Sequence, residues 1–330
     1  MPLVKKGWMG RDIYDNPWAP GATEEVLMLP HLLLSPRSNW HQLLCRPPSV
    51  MRDIPPADVC LEDLLSHSSE DDMRVTWIGH ATVLVQMNGL TILTDPMFSE
   101  RASYLQSVGP KRYTPPAIAL EDLPKVDLVL LSHNHFDHLD TASADAIGNS
   151  ALWLVPLGLK RWFSRRGIVN CVEMNWWDET ELPIGRTKVA CLPAQHWSAR
   201  NGFDRNQSLW SSWAVISGSE SFFFGGDTAY CPVFPSIADC YGPFDISALP
   251  IGAYEPSWFM KSKHCSPDEA VKIHSEIKSR RSIGIHWGTF DLANDSYLQP
   301  PRDLKDACEK AGLPGEEFKV IQHGESVRKI

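Results

Sequence analysis

Ser132-His133-Asn134-His135-Phe136-Asp137-His138 places three imidazoles and a carboxylate within six residues. It follows directly on Val126-Asp127-Leu128-Val129-Leu130-Leu131, an apolar run that reads as a buried strand, and helix-forming residues continue from Leu139 to Ile147. A strand end carries alternate side chains to one side, so His133 and His135 point together. Asp137 and His138, in the turn that follows, face a neighbouring point. One loop therefore begins two ligand sets, and histidine nitrogen with carboxylate oxygen suits zinc and similar metals. A solvated polar loop is the plain alternative, and the density of ligand-type side chains at a strand terminus weighs against it.

Two metals need more ligands than this loop owns, and the chain repeats the layout three times. Pro193-Ala194-Gln195-His196-Trp197 follows the apolar run 188–192, and Phe222-Phe223-Phe224 breaks at Gly225-Gly226 just before Asp227. Ser282-Ile283-Gly284-Ile285 ends in His286. Alone, a His or Asp after a strand is more usually a cap or a hydrogen-bonded loop residue. Recurrence of strand-then-ligand gives the pattern its specificity.

Outside these segments, 74–87 and 90–94 read as two strands around the hairpin turn Asn88-Gly89. Further strands are expected near 151–155, 169–173, 187–192, 213–217, 221–224, 246–250, 282–285 and 318–321, beside the one at 126–132. Helices are expected near 139–147, 157–165, 233–239, 267–279 and 302–311. Strands mixed with helices predict a layered α/β protein. With 330 residues and ligand residues spread from 133 to 286, one fold must gather them. We expect a catalytic domain over 73–330, with 1–72, rich in Pro and Trp and carrying one helix near 23–34, as an extension wrapped on it.

Thirty-one Lys plus Arg against 40 Asp plus Glu give a net charge of −9, which argues against a broad nucleic-acid footprint. Eight scattered cysteines without a C-x-x-C pair read as reduced thiols in an intracellular protein. Met1-Pro2-Leu3-Val4-Lys5-Lys6-Gly7-Trp8 lacks the apolar stretch of a secretory signal, and no apolar run approaches the ~20 residues that span a bilayer.

His133-Asn134-His135-Phe136-Asp137-His138, with His196, Asp227 and His286 downstream in that order, resembles the metallo-β-lactamase superfamily. Trp77-Ile78-Gly79-His80-Ala81-Thr82, Leu93-Thr94-Asp95-Pro96, Gly109-Pro110-Lys111-Arg112, Phe223-Phe224-Gly225-Gly226-Asp227-Thr228 and Ile285-His286-Trp287-Gly288-Thr289-Phe290 narrow the resemblance. They are similar to the N-acyl-phosphatidylethanolamine-hydrolysing phospholipase D branch, over about 7–326. The resemblance implies an α/β four-layer αβ/βα sandwich with two zinc ions at one sheet edge. It gives His133, His135 and His196 to the first ion, Asp137, His138 and His286 to the second, and Asp227 to both. The implied reaction is hydrolysis of N-acyl-phosphatidylethanolamine to N-acylethanolamine and phosphatidic acid by a metal-bridging hydroxide, with Asp137 and Asp227 at the reacting centre.

The resemblance also implies that His264, in Met260-Lys261-Ser262-Lys263-His264, contacts the phosphate or assists the leaving group. Phe136 would touch substrate, where the family pattern has Tyr, so a hydroxyl is lost there. Asp95 falls near the ligands and equally suits a turn before Pro96; His80 reads as structural, and Asp127 and Asp140 are not ligands. The segment after His196, Trp197-Ser198-Ala199-Arg200, has Ala199 where the family has Lys, which weakens carry-over of its amphiphile site.

The implied partners are a membrane phospholipid substrate, a peripheral membrane surface on the cytosolic side (Golgi or endosome in animals) and a second copy of the chain as a homodimer. Leu159-Lys160-Arg161-Trp162-Phe163-Ser164-Arg165-Arg166 combines four cations with two aromatic rings and reads equally as a lipid-facing patch or as a solvated helix with Trp162 and Phe163 packed inward. The apolar Val26-Leu27-Met28-Leu29-Pro30-His31-Leu32-Leu33-Leu34 is another candidate patch. Other readings are a soluble phosphodiesterase or lactonase on the same scaffold, or a lipid-binding protein with a vestigial site; the complete ligand set weighs against the last.

Overall fold

The computed structural model describes residues 1–7, 10–19, 57, 59, 61–65, 72–201 and 203–329. Most of the expected extension, its helix near 23–34 and the apolar stretch 26–34 lie outside them. The chain begins with a hairpin, β1 (Leu3–Lys6) and β2 (Asp12–Asp15), and a short helix, α1 (Leu61–Leu65), follows. The first half then supplies β3 (Arg74–Gly79), β4 (Thr82–Met87), β5 (Leu90–Thr94), β6 (Leu128–Leu130), β7 (Leu152–Pro156) and β8 (Cys171–Met174). The second half supplies β9 (Glu179–Leu182), β10 (Thr187–Leu192), β11 (Ser212–Ser217), β12 (Glu220–Phe224), β13 (Phe244–Pro250), β14 (Ser279–Ile285) and β15 (Phe318–Lys319). The last strand, β16 (Ser326–Arg328), returns to the first half and pairs with β3.

Two seven-stranded sheets result, in the orders β16-β3-β4-β5-β6-β7-β8 and β15-β14-β13-β12-β11-β10-β9. In each, an antiparallel meander leads into parallel strands joined by helical crossovers. α2 (Thr141–Ile147) joins β6 to β7, and α3 (Lys160–Ser164) joins β7 to β8. In the second half, α4 (Phe234–Tyr241) precedes β13, α5 (Ser257–Met260) and α6 (Pro267–Glu276) precede β14, and α7 (Gln299–Ala311) precedes β15.

The strands of the first sheet are apolar on both faces because both are covered. Val75, Trp77, Val83, Val85, Ile92, Leu128 and Leu130 face inward, in one cluster with Val189, Cys191, Trp213, Val215 and Phe223 of the second sheet. Leu84, Leu93, Val129 and Trp153 point the other way, onto Ile147 of α2 and Phe163 of α3. Helix, sheet, sheet, helix is the four-layer arrangement the resemblance implied. Trp213 Nε1–H crosses between the sheets to Leu131 O at 2.9 Å, and Ser211 N–H reaches Ser132 O at 2.9 Å, so the second sheet grips the loop that carries the histidines.

The structure corrects several expectations. The strand expected over 74–87 is two, because Gly79 (φ 144°) and His80 (φ 53°) turn the chain between β3 and β4. β1, β2, β9 and β16 were not expected, and β9, Glu-Thr-Glu-Leu, is a polar edge strand. Phe163 of α3 is fully buried and Trp162 half-buried beneath the Arg200 and Arg166 guanidiniums, so the candidate lipid patch offers cations but not its rings. The six described cysteines are free thiols, as expected.

Trp213→Phe keeps an aromatic ring in the core but removes the indole donor to Leu131 O. Equilibrium urea unfolding should show a loss of roughly 1–3 kcal/mol; a change within error would mean the inter-sheet bond contributes nothing net.

Candidate metal centre

β6, β10, β12 and β14 all reach one edge of the double sheet with their C-terminal ends, where open α/β sheets place their ligands. His133, His135, Asp137 and His138 follow β6, His196 follows β10, Asp227 follows β12 and His286 follows β14. Asp227 needs the preceding Gly226. At φ 57°, a Cβ there would lie 2.6 Å from Ser132 Cβ, so only glycine lets the two ligand-bearing loops touch. α2 fixes the far end of the histidine loop, with Asp140 as its N-cap accepting from the Ala142 and Ser143 N–H groups.

All seven expected ligand residues converge. His133 Nε2 lies 2.7 Å and His196 Nε2 3.2 Å from His135 Nδ1, with Asp227 Oδ2 3.7 Å from His133 Nε2 and 3.5 Å from His196 Nε2. Beside them, Asp137 Oδ2 lies 3.3 Å from His138 Nε2 and 3.5 Å from His286 Nε2. Asp227 faces both groups, with Oδ1 3.1 Å from His286 Nε2 and Oδ2 3.2 Å from His138 Nε2.

The donor set fits metal. Buried polar atoms almost always have partners, yet His138 Nε2, His286 Nε2 and Asp227 Oδ1 are buried and make no hydrogen bond. Nitrogens directed at one another are what a shared cation requires. Three of the outer ring nitrogens are spoken for: His138 Nδ1–H donates to Asp95 Oδ2 (2.6 Å) and His196 Nδ1–H to Lys263 O (2.7 Å). His133 Nδ1–H reaches Ser132 Oγ (2.9 Å), whose own proton goes to Asp95 Oδ2 (2.5 Å). These bonds keep a proton on Nδ1 of His133, His138 and His196, so that Nε2 is the nitrogen each turns inward.

Charge separates the two groups. Burial, reinforced by neighbouring imidazoles, holds His133 well below the usual histidine range; burial takes His135 down to about 4 and His196 to about 3. Burial also disfavours charge on His138 and His286, but the Asp227 and Asp137 carboxylates outweigh it. His138 rises well above its ordinary value and His286 to about 9. Burial pushes the two carboxyls up, and the His138 charge with histidine hydrogen bonds reverses this, leaving both well below the usual range.

His264 sits at the margin, its Nδ1 3.9 Å from Asp227 Oδ2, and it also lines a cavity of about 690 Å³ with Tyr254 and Lys261. Phe136 packs with Met97, Ala102, Phe290 and Leu292, under the Arg200 guanidinium at 4.4 Å. Asp95 is fully buried and belongs to the centre rather than to a surface turn. Asp127 accepts from Thr91 N–H, away from the ligands. His80, read as structural, joins Asp137, His138 and His286 in one ligand-like group.

Two contributors escaped the sequence reading. Asn16, from the segment after β2, donates to the carbonyl of His196 at 2.8 Å, and Arg200 donates to Asn134 O at 3.0 Å inside the histidine loop. Neither carries a motif; only the fold brings them near.

Metal uptake should therefore release protons unequally. A raised pKa means that His138 and His286 hold protons at pH 7, which an ion must displace, whereas His133, His135 and His196 are already neutral. Calorimetry in buffers of different ionisation enthalpy should find proton release when metal binds at His138 and His286, fading above pH 9, and little when it binds at His133, His135 and His196. Equal release from both would contradict this charge pattern.

Residues 91–287 match the Beta-lactamase superfamily domain. The N-acyl-phosphatidylethanolamine-hydrolyzing phospholipase D 1 of Caenorhabditis elegans is 47% identical over 270 residues, 78% of this chain and 76% of that one. The mitochondrial N-acyl-phosphatidylethanolamine-hydrolyzing phospholipase D of Saccharomyces cerevisiae is 36% identical over 245 residues, 72% of this chain and 52% of the yeast protein. Among solved structures, Igni18, a metallo hydrolase of Ignicoccus hospitalis, superposes with a TM-score of 0.59 at 20% identity, over 78% of this chain and 99% of that one, a likeness of fold. The chain belongs to the N-acyl-phosphatidylethanolamine-hydrolysing phospholipase D family, within the metal-dependent hydrolases of the β-lactamase superfamily.

Proposed function

We propose that this protein is a dizinc phosphodiesterase that hydrolyses N-acyl-phosphatidylethanolamine to N-acylethanolamine and phosphatidic acid. The observation that carries this reading is the 47% identity to the C. elegans enzyme together with a complete ligand set in one buried cluster. His133, His135 and His196 would hold one ion, Asp137, His138 and His286 the other, and Asp227 both. Two bound zinc ions would supply Lewis acidity for the phosphate and lower the pKa of a water towards ~7.

The chain's own residues do the rest. Water oxygen forms the new bond to phosphorus, the P–O bond to the ethanolamine carbon chain breaks, and the departing oxygen takes a proton. His264, between Asp227 and its own solvent cavity, is placed to contact the phosphate or meet that departing oxygen. Phe136, lying under the Arg200 guanidinium and carrying no hydroxyl, would pack against substrate rather than hydrogen-bond it.

A phospholipid substrate requires approach to a bilayer, and among the described residues no helix is long and apolar enough to cross one. A groove of about 760 Å³ runs out from Phe136 between Arg161, Arg165, Arg200 and Tyr104. Its flanking loops expose Tyr104 (78%), Leu105 and, on the other side, Phe203 (93%). Rings that can dip at the interface, with arginines for anionic head groups, support a reading of this side as the membrane-facing one. A homodimer belongs to the same reading.

Incubation of the zinc-loaded protein with N-acyl-phosphatidylethanolamine in mixed micelles should yield N-acylethanolamine and phosphatidic acid in equal amounts by mass spectrometry, and His135→Asn should yield neither. No turnover with two zincs bound would shift the reading to a soluble ester or phosphodiester. Phe203→Asp combined with Arg165→Glu should lower partitioning onto phosphatidylserine-containing vesicles roughly tenfold or more, given about 1 kcal/mol per surface cation. Turnover of a monomeric short-chain substrate should be unchanged. Unaltered partitioning would remove these loops from the membrane contact.

A further inference from the structure

Three of the inward-facing ligands are steadied from outside: His138 by Asp95, His133 by Ser132, and His196 by the Lys263 carbonyl. Asp137 is the less enclosed of the two carboxylate ligands; its side chain is 14% exposed, against 2% for Asp227. Outside the ligand set, the hydrogen bond its carboxylate makes among the described residues is to His80, Nε2 to Oδ2 at 3.0 Å. Oδ2 is the same oxygen that faces His138 and His286.

His80 is built to stay in place. It is buried in the tight turn between β3 and β4, at φ 53°, a backbone region that side chains with a Cβ rarely adopt. Its N–H donates to Thr289 Oγ1 (2.8 Å), and its carbonyl accepts from the His286 N–H (2.9 Å) and the Trp77 indole (2.9 Å). The ring lies 4.2 Å from that of His286, centroid to centroid, and meets the edge of Phe290 at 5.1 Å. Thr289 is braced in turn by His323 Nε2 at 3.1 Å, and His323 stacks on Trp77 at 4.1 Å. The loop that carries His286 thus clamps the turn that carries His80, and His80 reaches across to Asp137.

We propose that His80 is a positioning residue. By donating from Nε2 to Asp137 Oδ2 it fixes the carboxylate that, with His138 and His286, receives the second ion, and so it sets the affinity of that position without binding metal itself. This rests on the two-ion reading of the centre. Outer-sphere partners of this kind typically change metal affinity 10–100-fold.

The test is zinc titration against a chromophoric chelator, with metal counted by mass spectrometry, on the full chain and on His80→Ala, His80→Gln and Thr289→Val. Wild type should bind two ions. His80→Ala should bind the first unchanged, which also certifies its fold, and the second 10–100-fold more weakly. His80→Gln, whose amide can still donate, should restore most of the loss, and Thr289→Val should weaken the second ion in the same sense as His80→Ala. Wild-type affinity for both ions in His80→Ala would overturn the proposal. So would a His80→Gln as weak as His80→Ala, since the ring rather than its donated proton would then matter. A wild-type protein that takes up one ion only would remove the two-ion reading, and the second position with it, before any variant is compared.

Discussion

Asp227 presents its carboxylate to both halves of the centre, Oδ2 to His133, His196 and His138 and Oδ1 to His286. The rest of the structure is arranged around the cost of putting it there. A buried carboxylate beside a second one, Asp137, is tolerated only among positive charge. Five histidines converge on the pair, two drawn to the protonated state by the carboxylates and three kept neutral by burial. Unsatisfied inward nitrogens and an unsatisfied carboxylate oxygen in the same few ångströms make a cation the natural completion of the site. Folding and metal binding are thereby coupled, because the cluster is at its least favourable without an ion.

Holding this cluster takes backbone that the core must stabilise. His80, Asp95 and His286 all have positive φ, at 53°, 33° and 62°, each costing of order 1–3 kcal/mol. All three lie where a strand ends at the metal edge. The inner faces of the two sheets, rich in Val, Leu, Trp and Phe at close to zero exposure, supply the offsetting burial. The inter-sheet bonds from Trp213 and Ser211 to the residues just before His133 transmit that rigidity into the ligand loop. Strain concentrated at the site and relief distributed over the core is the expected division.

What could be read from the sequence follows the same physics. His133, His135, Asp137, His138, His196, Asp227 and His286 were legible because each sits at the end of an apolar strand, and apolar runs survive in one dimension. α6 falls within the helix expected near 267–279, and a capping box between Ser266 and Glu269 closes its start. His80 was not legible, because it interrupts an otherwise continuous β pattern and its partner Asp137 is 57 residues away. β9 was missed since Glu179–Leu182 is an edge strand that needs no apolar face. The inward packing of Phe163 was one of two readings of its segment, and the mixture of basic and aromatic residues over a single helical turn did not choose between them. Asn16 and Arg200 act on main-chain carbonyls, and such contacts leave no residue pattern at all.

Anomalous diffraction from crystals of the zinc-loaded protein, recorded on either side of the zinc absorption edge, tests the central claim most directly. Two zinc peaks about 3.5–4 Å apart, one among His133, His135 and His196 and the other among Asp137, His138 and His286, with Asp227 touching both, are predicted. A single peak, or two that do not share Asp227, would contradict the account.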